Sequence, residues 1–198
     1  MTALPKLAPS RMTIEEFFDW PGDGNGKKFE LVDGKPRAMP PASVPHGIIQ
    51  ATLARLLGIH LSGTRCYIVV EPGIIPRVRS DANMRVPDLA VSCEVPGGGQ
   101  QALTEPTLVI EILSPSNESE TRENVWAYAT IPTVREILLI RSTRIAAELL
   151  RRGADGSWPS NPLPIESDAA LFLESLDYSC PLAAIYENTH LARTDGGN

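Results

Sequence analysis

The chain of 198 residues has no long apolar run, few aromatic side chains at 6%, only three histidines and no surplus of positive charge. No segment approaches the roughly 20 consecutive apolar residues of a membrane-spanning helix, so no membrane role is expected. Met1 to Arg11 lacks the apolar centre of a secretory signal. The three cysteines, Cys66, Cys93 and Cys180, are odd in number and lack metal-ligand spacing, which predicts a reduced, cytoplasmic setting. The net charge of −6 and pI near 5.1 count against a simple electrostatic nucleic-acid binder. They do not exclude a nuclease, whose acidic metal site adds negative charge that a bound cation offsets. Pro96-Gly97-Gly98-Gly99 is no phosphate loop, because no strand-to-helix frame or Gly-Lys-Ser/Thr surrounds it. No zinc finger, recognition helix or internal repeat is present, and Arg77, Arg79 and Arg85, with Arg151 and Arg152, are too few to define a duplex groove.

What is present suits one domain with a sizeable core: 42% hydrophobic and 21% charged residues. A single domain is expected over residues 12–187, between flexible tails at 1–11 and 188–198. Thr13-Ile14-Glu15-Glu16 has capping-box spacing and opens a short helix to about Trp20. Lys28 to Val32, an Asp33-Gly34 turn and Lys35 to Met39 predict a β-hairpin. Ser43 caps a helix from Val44 to Leu61, with Ile49, Leu53, Leu56 and Leu57 at helical spacing. Strands are predicted at Cys66–Val70, Gly73–Val78, Val86–Val91 and through Glu111, then a helix capped by Asn117 and running to Ala129. Glu120, Asn124 and Tyr128 share one face of that helix. Strands at Val134–Ile140, Ala146–Leu150 and Ala169–Leu173 and a short helix at Pro181–Tyr186 complete the pattern. The Val44–Leu61 helix and the Ala146–Leu150 strand are apolar enough for a homodimer contact, although core burial explains the same pattern.

Chemistry is concentrated in two apolar runs that each carry one acid, Arg85-Val86-Pro87-Asp88-Leu89-Ala90-Val91 and Leu108-Val109-Ile110-Glu111-Ile112-Leu113-Ser114. Desolvating a carboxylate without a partner is costly. Either acid alone reads more readily as a strand-entrance residue or a structural ion pair. Two of them on neighbouring strands ask for a cation, and Mg²⁺ is satisfied by one or two carboxylates plus water and phosphate oxygens. Glu30, between Phe29 and Leu31, reads on its own as a solvated strand residue. His46, in the first turn of its helix, reads as a surface or capping residue unless it lies beside the acids.

The order Phe29-Glu30-Leu31-Val32-Asp33-Gly34, Pro40-Pro41-Ala42-Ser43 with His46, Val86-Pro87-Asp88, Val109-Ile110-Glu111-Ile112-Leu113-Ser114-Pro115-Ser116, Tyr128 and Val134-Arg135-Glu136 resembles the Uma2 family of restriction-endonuclease-like proteins over about residues 12–187. The resemblance implies a PD-(D/E)xK fold of the α/β (α+β) class, a mixed central sheet flanked by helices with an N-terminal β-hairpin. It also implies Mg²⁺-dependent cleavage of phosphodiester bonds in nucleic acid, with DNA as the first expectation and Mn²⁺ as a substitute metal. Asp88, Glu111 and Glu30 would be the metal residues, with His46 and Asn124 orienting water or phosphate. The nuclease pattern places lysine two residues after Glu111, where this chain has Leu113. Relatives in the family carry it four residues before the tyrosine, where this chain has Asn124. An amide can orient an oxygen but carries no charge. The alternative implied is therefore a catalytically degenerate binding or regulatory module on the same fold.

Overall fold

The computed structural model describes residues 11–115 and 117–192. Thr13 caps α1 (Ile14–Asp19) with the reciprocal capping box that its spacing predicts. The Asp33-Gly34 turn, both residues at positive φ, joins β1 (Phe29–Val32) to β2 (Lys35–Ala38). Their register sets Glu30 directly opposite Arg37. Ser43 caps α2 (Val44–His60) by accepting from the His46 N–H, and Pro45 fits the first turn, where its missing donor costs nothing.

Six strands form the central sheet in the order β3 (Tyr67–Val70), β4 (Leu89–Ser92), β5 (Pro106–Leu113), β6 (Glu136–Arg141), β7 (Ala146–Arg151) and β8 (Leu163–Glu166). Only β5 and β6 run parallel, joined across the sheet by α3 (Glu118–Ala129). The sheet is therefore mixed and flanked by helices, as expected. Alternation along β5 divides its side chains. Leu108, Ile110 and Ile112 pack under α2 and the β9 (Ala170–Leu173) and β10 (Tyr178–Pro181) hairpin, whereas Val109 and Leu113 pack under α3. Asp88 shares its parity with Ala90, which lies on the α3 side. A smaller core of Met12, Ile14, Phe17, Leu31 and Met84 seats the N-terminal hairpin.

Several local expectations fail for physical reasons. The strand predicted over Gly73–Val78 reduces to single bridges at Ile74, because Pro72 and Pro76 interrupt the ladder. The predicted Val86–Val91 strand starts only at Leu89, after Pro87. Asn117 makes no capping bond to α3; its Oδ1 accepts from the Ser114 N–H at 2.8 Å. The strands β8 and β10 carry too few alternating apolar positions to have been read. Chain structure continues past residue 187 to a 3-10 turn at His190–Ala192, with Thr189 buried; residues 1–10 and 193–198 of the expected tails lie outside the described residues. Most of the apolar side chains of α2 and β7 that suggested a homodimer contact, Ile49, Leu53, Leu57, Ala147 and Leu149 among them, are buried inside the fold, while Val44 and Ile59 of α2 stay exposed.

The cysteine reading also changes. Antiparallel pairing of Tyr67 with Ser92 brings the flanking Cys66 and Cys93 together, and they form a disulfide, leaving Cys180 as the free thiol. The thiol argument for a reducing compartment therefore falls. Among the described residues no helix is long and apolar enough to cross a membrane.

The arginines mostly serve the fold. Arg122 and Arg141 both reach Glu118 and Glu148, with Nη2 to Glu148 Oε1 at 2.9 Å in each case. Bonds from Arg122 first, then Arg141, hold the Glu148 carboxyl below its usual proton affinity. The folded state thus binds that proton less well than the unfolded chain, so the stabilisation is present above pH 4.5 and disappears as the pH falls below it. Glu148→Gln should cost about 1 kcal/mol at neutral pH in urea unfolding, with the deficit vanishing in acid. Unreduced, denatured protein should titrate one thiol, and three after reduction.

Candidate active site

Strand β5 is buried along nearly its whole length, and Glu111 is its one acid. Its parity with Val109 and Leu113 turns it toward α3. There the fully buried Tyr128 donates its hydroxyl to Glu111 Oε1 at 2.8 Å. Burial first, and then the nearby Asp88 and Glu30 carboxylates, push the Glu111 proton affinity well above the usual carboxyl range. Burial and Glu111 likewise raise Tyr128 well above the ordinary phenol, so it remains a donor.

Asp88 stands immediately before β4, where Pro87 has interrupted the ladder. Its Oδ2 accepts from the Ile112 N–H of β5 at 2.6 Å. Oδ1 lies 2.7 Å from His46 Nε2. The main-chain carbonyl accepts from Gln50 Nε2 at 2.9 Å and from the Glu71 N–H at 3.0 Å. His46 is thus buried, and its other ring nitrogen, Nδ1, lies 3.4 Å from Ser114 Oγ. Helix α2 carries both His46 and Gln50, one turn apart, to the same aspartate.

Glu30 is only 5% exposed, so the solvated reading of it is wrong. Arg37 Nε approaches Glu30 Oε1 at 2.8 Å and Arg37 Nη2 at 2.5 Å, and the same nitrogen reaches Asn124 Oδ1 at 3.2 Å. Asn124 Nδ2 faces Glu30 Oε2 at 3.4 Å. Leu113, where the nuclease pattern would place lysine, is buried in the core.

Glu30, His46, Asp88, Glu111 and Asn124 all line one cavity of about 940 Å³ between the hairpin, α2, α3 and the ends of β4 and β5. Lys28, Glu71, Ser114, Glu120, Ser142 and His190 also line it. Among the described residues no three His, Cys, Asp or Glu side chains form a ready-made metal cluster. Sequence reading passed over Arg37, although the hairpin turn at Asp33-Gly34 implied its register opposite Glu30. The face shared by Asn124 and Tyr128 was legible in the sequence, but the Tyr128–Glu111 contact was not. The Gln50 contact had no local signal, since it depends on how α2 lies across the sheet. Arg85 is buried and donates to the Leu31 carbonyl at 2.6 Å, which removes it from any nucleic-acid surface.

A mixed sheet with this acid-lined cavity at the strand ends defines a nuclease-like α/β protein. The fold matches the crystal structure of a putative nuclease belonging to DUF820 from Anabaena variabilis ATCC 29413, with TM-score 0.71 and 18% identity, over 88% of this chain and 97% of that one. The chain belongs to the Uma2 family, described as "Putative restriction endonuclease", whose model matches residues 14–179. Two uncharacterized proteins of Synechocystis sp. are also similar. One, slr1290, is 33% identical over 184 residues, 92% of each chain; the other, sll1609, is 28% identical over 136 residues, 67% of this chain and 76% of its own.

Tyr128→Phe would leave Glu111 buried without its phenolic donor. Urea unfolding in EDTA should show a loss of about 1–2 kcal/mol, larger than an exposed Tyr→Phe change would give.

Proposed function

We propose that this protein is a Mg²⁺-dependent endonuclease that hydrolyses phosphodiester bonds of nucleic acid, with DNA as the first substrate to test. The observation that carries this reading is the meeting of Asp88, at the entrance to β4, and Glu111, on β5, in one cavity where burial makes a second negative charge costly. That donor set fits a hard cation taking two carboxylates and filling its other positions with water and phosphate oxygen. Asp88 and Glu111 would hold it. Glu30, already paired with Arg37, would act through water or from beside them. When bound, the metal supplies charge stabilisation at the scissile phosphate and a more acidic water.

The protein's own groups do the positioning. His46 and the Ile112 N–H each hold one Asp88 oxygen, so that carboxylate enters the reaction in a fixed orientation. Tyr128 does the same for Glu111. Asn124, held between Glu30 and Arg37, can present its amide to water or a phosphate oxygen. In the overall reaction water adds to phosphorus, the bridging P–O bond breaks, and the leaving oxygen takes a proton.

One observation favours a second reading, a binding or regulatory module without turnover. Neither Leu113 nor Asn124 supplies an ammonium group, and both are buried. The discriminating measurement is cleavage of plasmid and single-stranded DNA with Mg²⁺ or Mn²⁺. Asp88→Ala should lower the rate by about 100-fold or more. Cleavage and metal affinity unchanged in that variant would reject the site. An inert wild type that gains cleavage through Asn124→Lys would establish the degenerate module instead.

A further inference from the structure

Five carboxylates, Glu30, Glu71, Asp88, Glu111 and Glu120, line the cavity. A phosphodiester entering it meets their repulsion unless cations face it as well. Among the described residues, the only lysines or arginines lining the cavity are Lys27 and Lys28. The two are not equivalent. The Lys28 carbonyl accepts from the Met39 N–H at 2.9 Å, which continues the hairpin ladder one residue beyond β1. Lys28 therefore has a fixed backbone, and strand alternation puts its side chain on the same face as Glu30. Lys27 precedes the ladder, so no strand register fixes it, and it lies 3.9 Å from the local Asp23 carboxylate.

Lys28 Nζ pairs with the Glu71 carboxylate, and the Glu71 N–H is bonded to the Asp88 carbonyl. The ammonium is thereby tethered to the segment that carries Asp88. Its side chain is 66% exposed, and an exposed ion pair of this kind holds weakly, so it can exchange Glu71 for another anion.

We propose that Lys28 is the phosphate-binding cation of this site, and that Glu71 holds its ammonium until a nucleic-acid phosphate replaces the carboxylate. The proposal rests on the endonuclease reading for its catalytic consequence, but its binding consequence can be measured separately.

The test is fluorescence anisotropy with a labelled single-stranded oligonucleotide over a salt series, in EDTA and again in Ca²⁺, followed by cleavage assays in Mg²⁺. Lys28→Met should weaken binding about 10-fold, and the slope of log affinity against log salt should fall by about 0.7. Lys28→Arg should retain binding. Glu71→Gln, which frees the ammonium, should tighten it several-fold. Lys27→Met should weaken it less than Lys28→Met does. Circular dichroism and the urea midpoint check that each variant folds; if Lys28→Met does not, the Glu71→Gln and Lys28→Arg results decide. Wild-type affinity and salt slope in Lys28→Met overturn the proposal. So do equal losses in the two Lys→Met variants, or no binding by wild type in either buffer. If no variant cleaves in Mg²⁺ while Lys28→Met alone loses binding, the endonuclease reading fails and Lys28 remains the phosphate contact. If wild type cleaves through Asp88 and Lys28→Met binds and cleaves like it, the reverse holds.

Discussion

A carboxylate on the inward face of the central strand constrains everything around it. Glu111 cannot remain there as a bare anion, and the surrounding structure answers that problem in stages. Tyr128 gives it a hydrogen bond from α3, while Asp88 and Glu30 stand close enough to raise its proton affinity further. A protein selected for stability alone would fill this position with an aliphatic residue, as it does at Ile110 and Ile112. Keeping three acids around one cavity is unfavourable in isolation, and the proposed cation would offset that cost.

The scaffold keeps those acids separate from the main core. Alternation along β4 and β5 sends one set of side chains beneath α2 and the other beneath α3, and the cavity opens where the strands end. The N-terminal hairpin closes it from outside the sheet, bringing Glu30 and Lys28 on one strand and Arg37 on the other. Two cations thus approach from the hairpin. Arg37 is committed to Glu30 and Asn124, whereas the exposed Lys28 is held by the single half-buried carboxylate of Glu71. On the proposal made for Lys28, that difference separates a cation that shapes the acid site from one that meets a phosphate.

Legibility from sequence followed the range of the interactions involved. Helices α1 and α2, the Asp33-Gly34 hairpin and the β5 strand depend on caps, turns and periodicity within a few residues, and they form where the residues direct. Misreadings lie where local patterns were ambiguous or were overridden. Asn117 has the chemistry of a cap but bonds Ser114, and Gly73–Val78 has strand composition but prolines that break the ladder. His46 and Glu30, each an ordinary surface residue by local criteria, are buried because Asp88 and Arg37 supply their partners.

By itself the sequence determined that Asp88 and Glu111 sit in apolar surroundings needing charge compensation, because short runs of Val, Ile and Leu form buried strands and buried carboxylates require partners. Its two-residue turn also fixed the register that sets Glu30 opposite Arg37, a pairing that the reading of Glu30 as a solvated residue passed over. Only the tertiary structure decided that these acids share one cavity, that Cys66 bonds Cys93, and that Lys28 lines that cavity while Leu113 is buried in the core. Those outcomes depend on how α2, α3 and the hairpin dock against the sheet, and docking is set by the packed surfaces of whole elements rather than by any neighbouring residues in the chain.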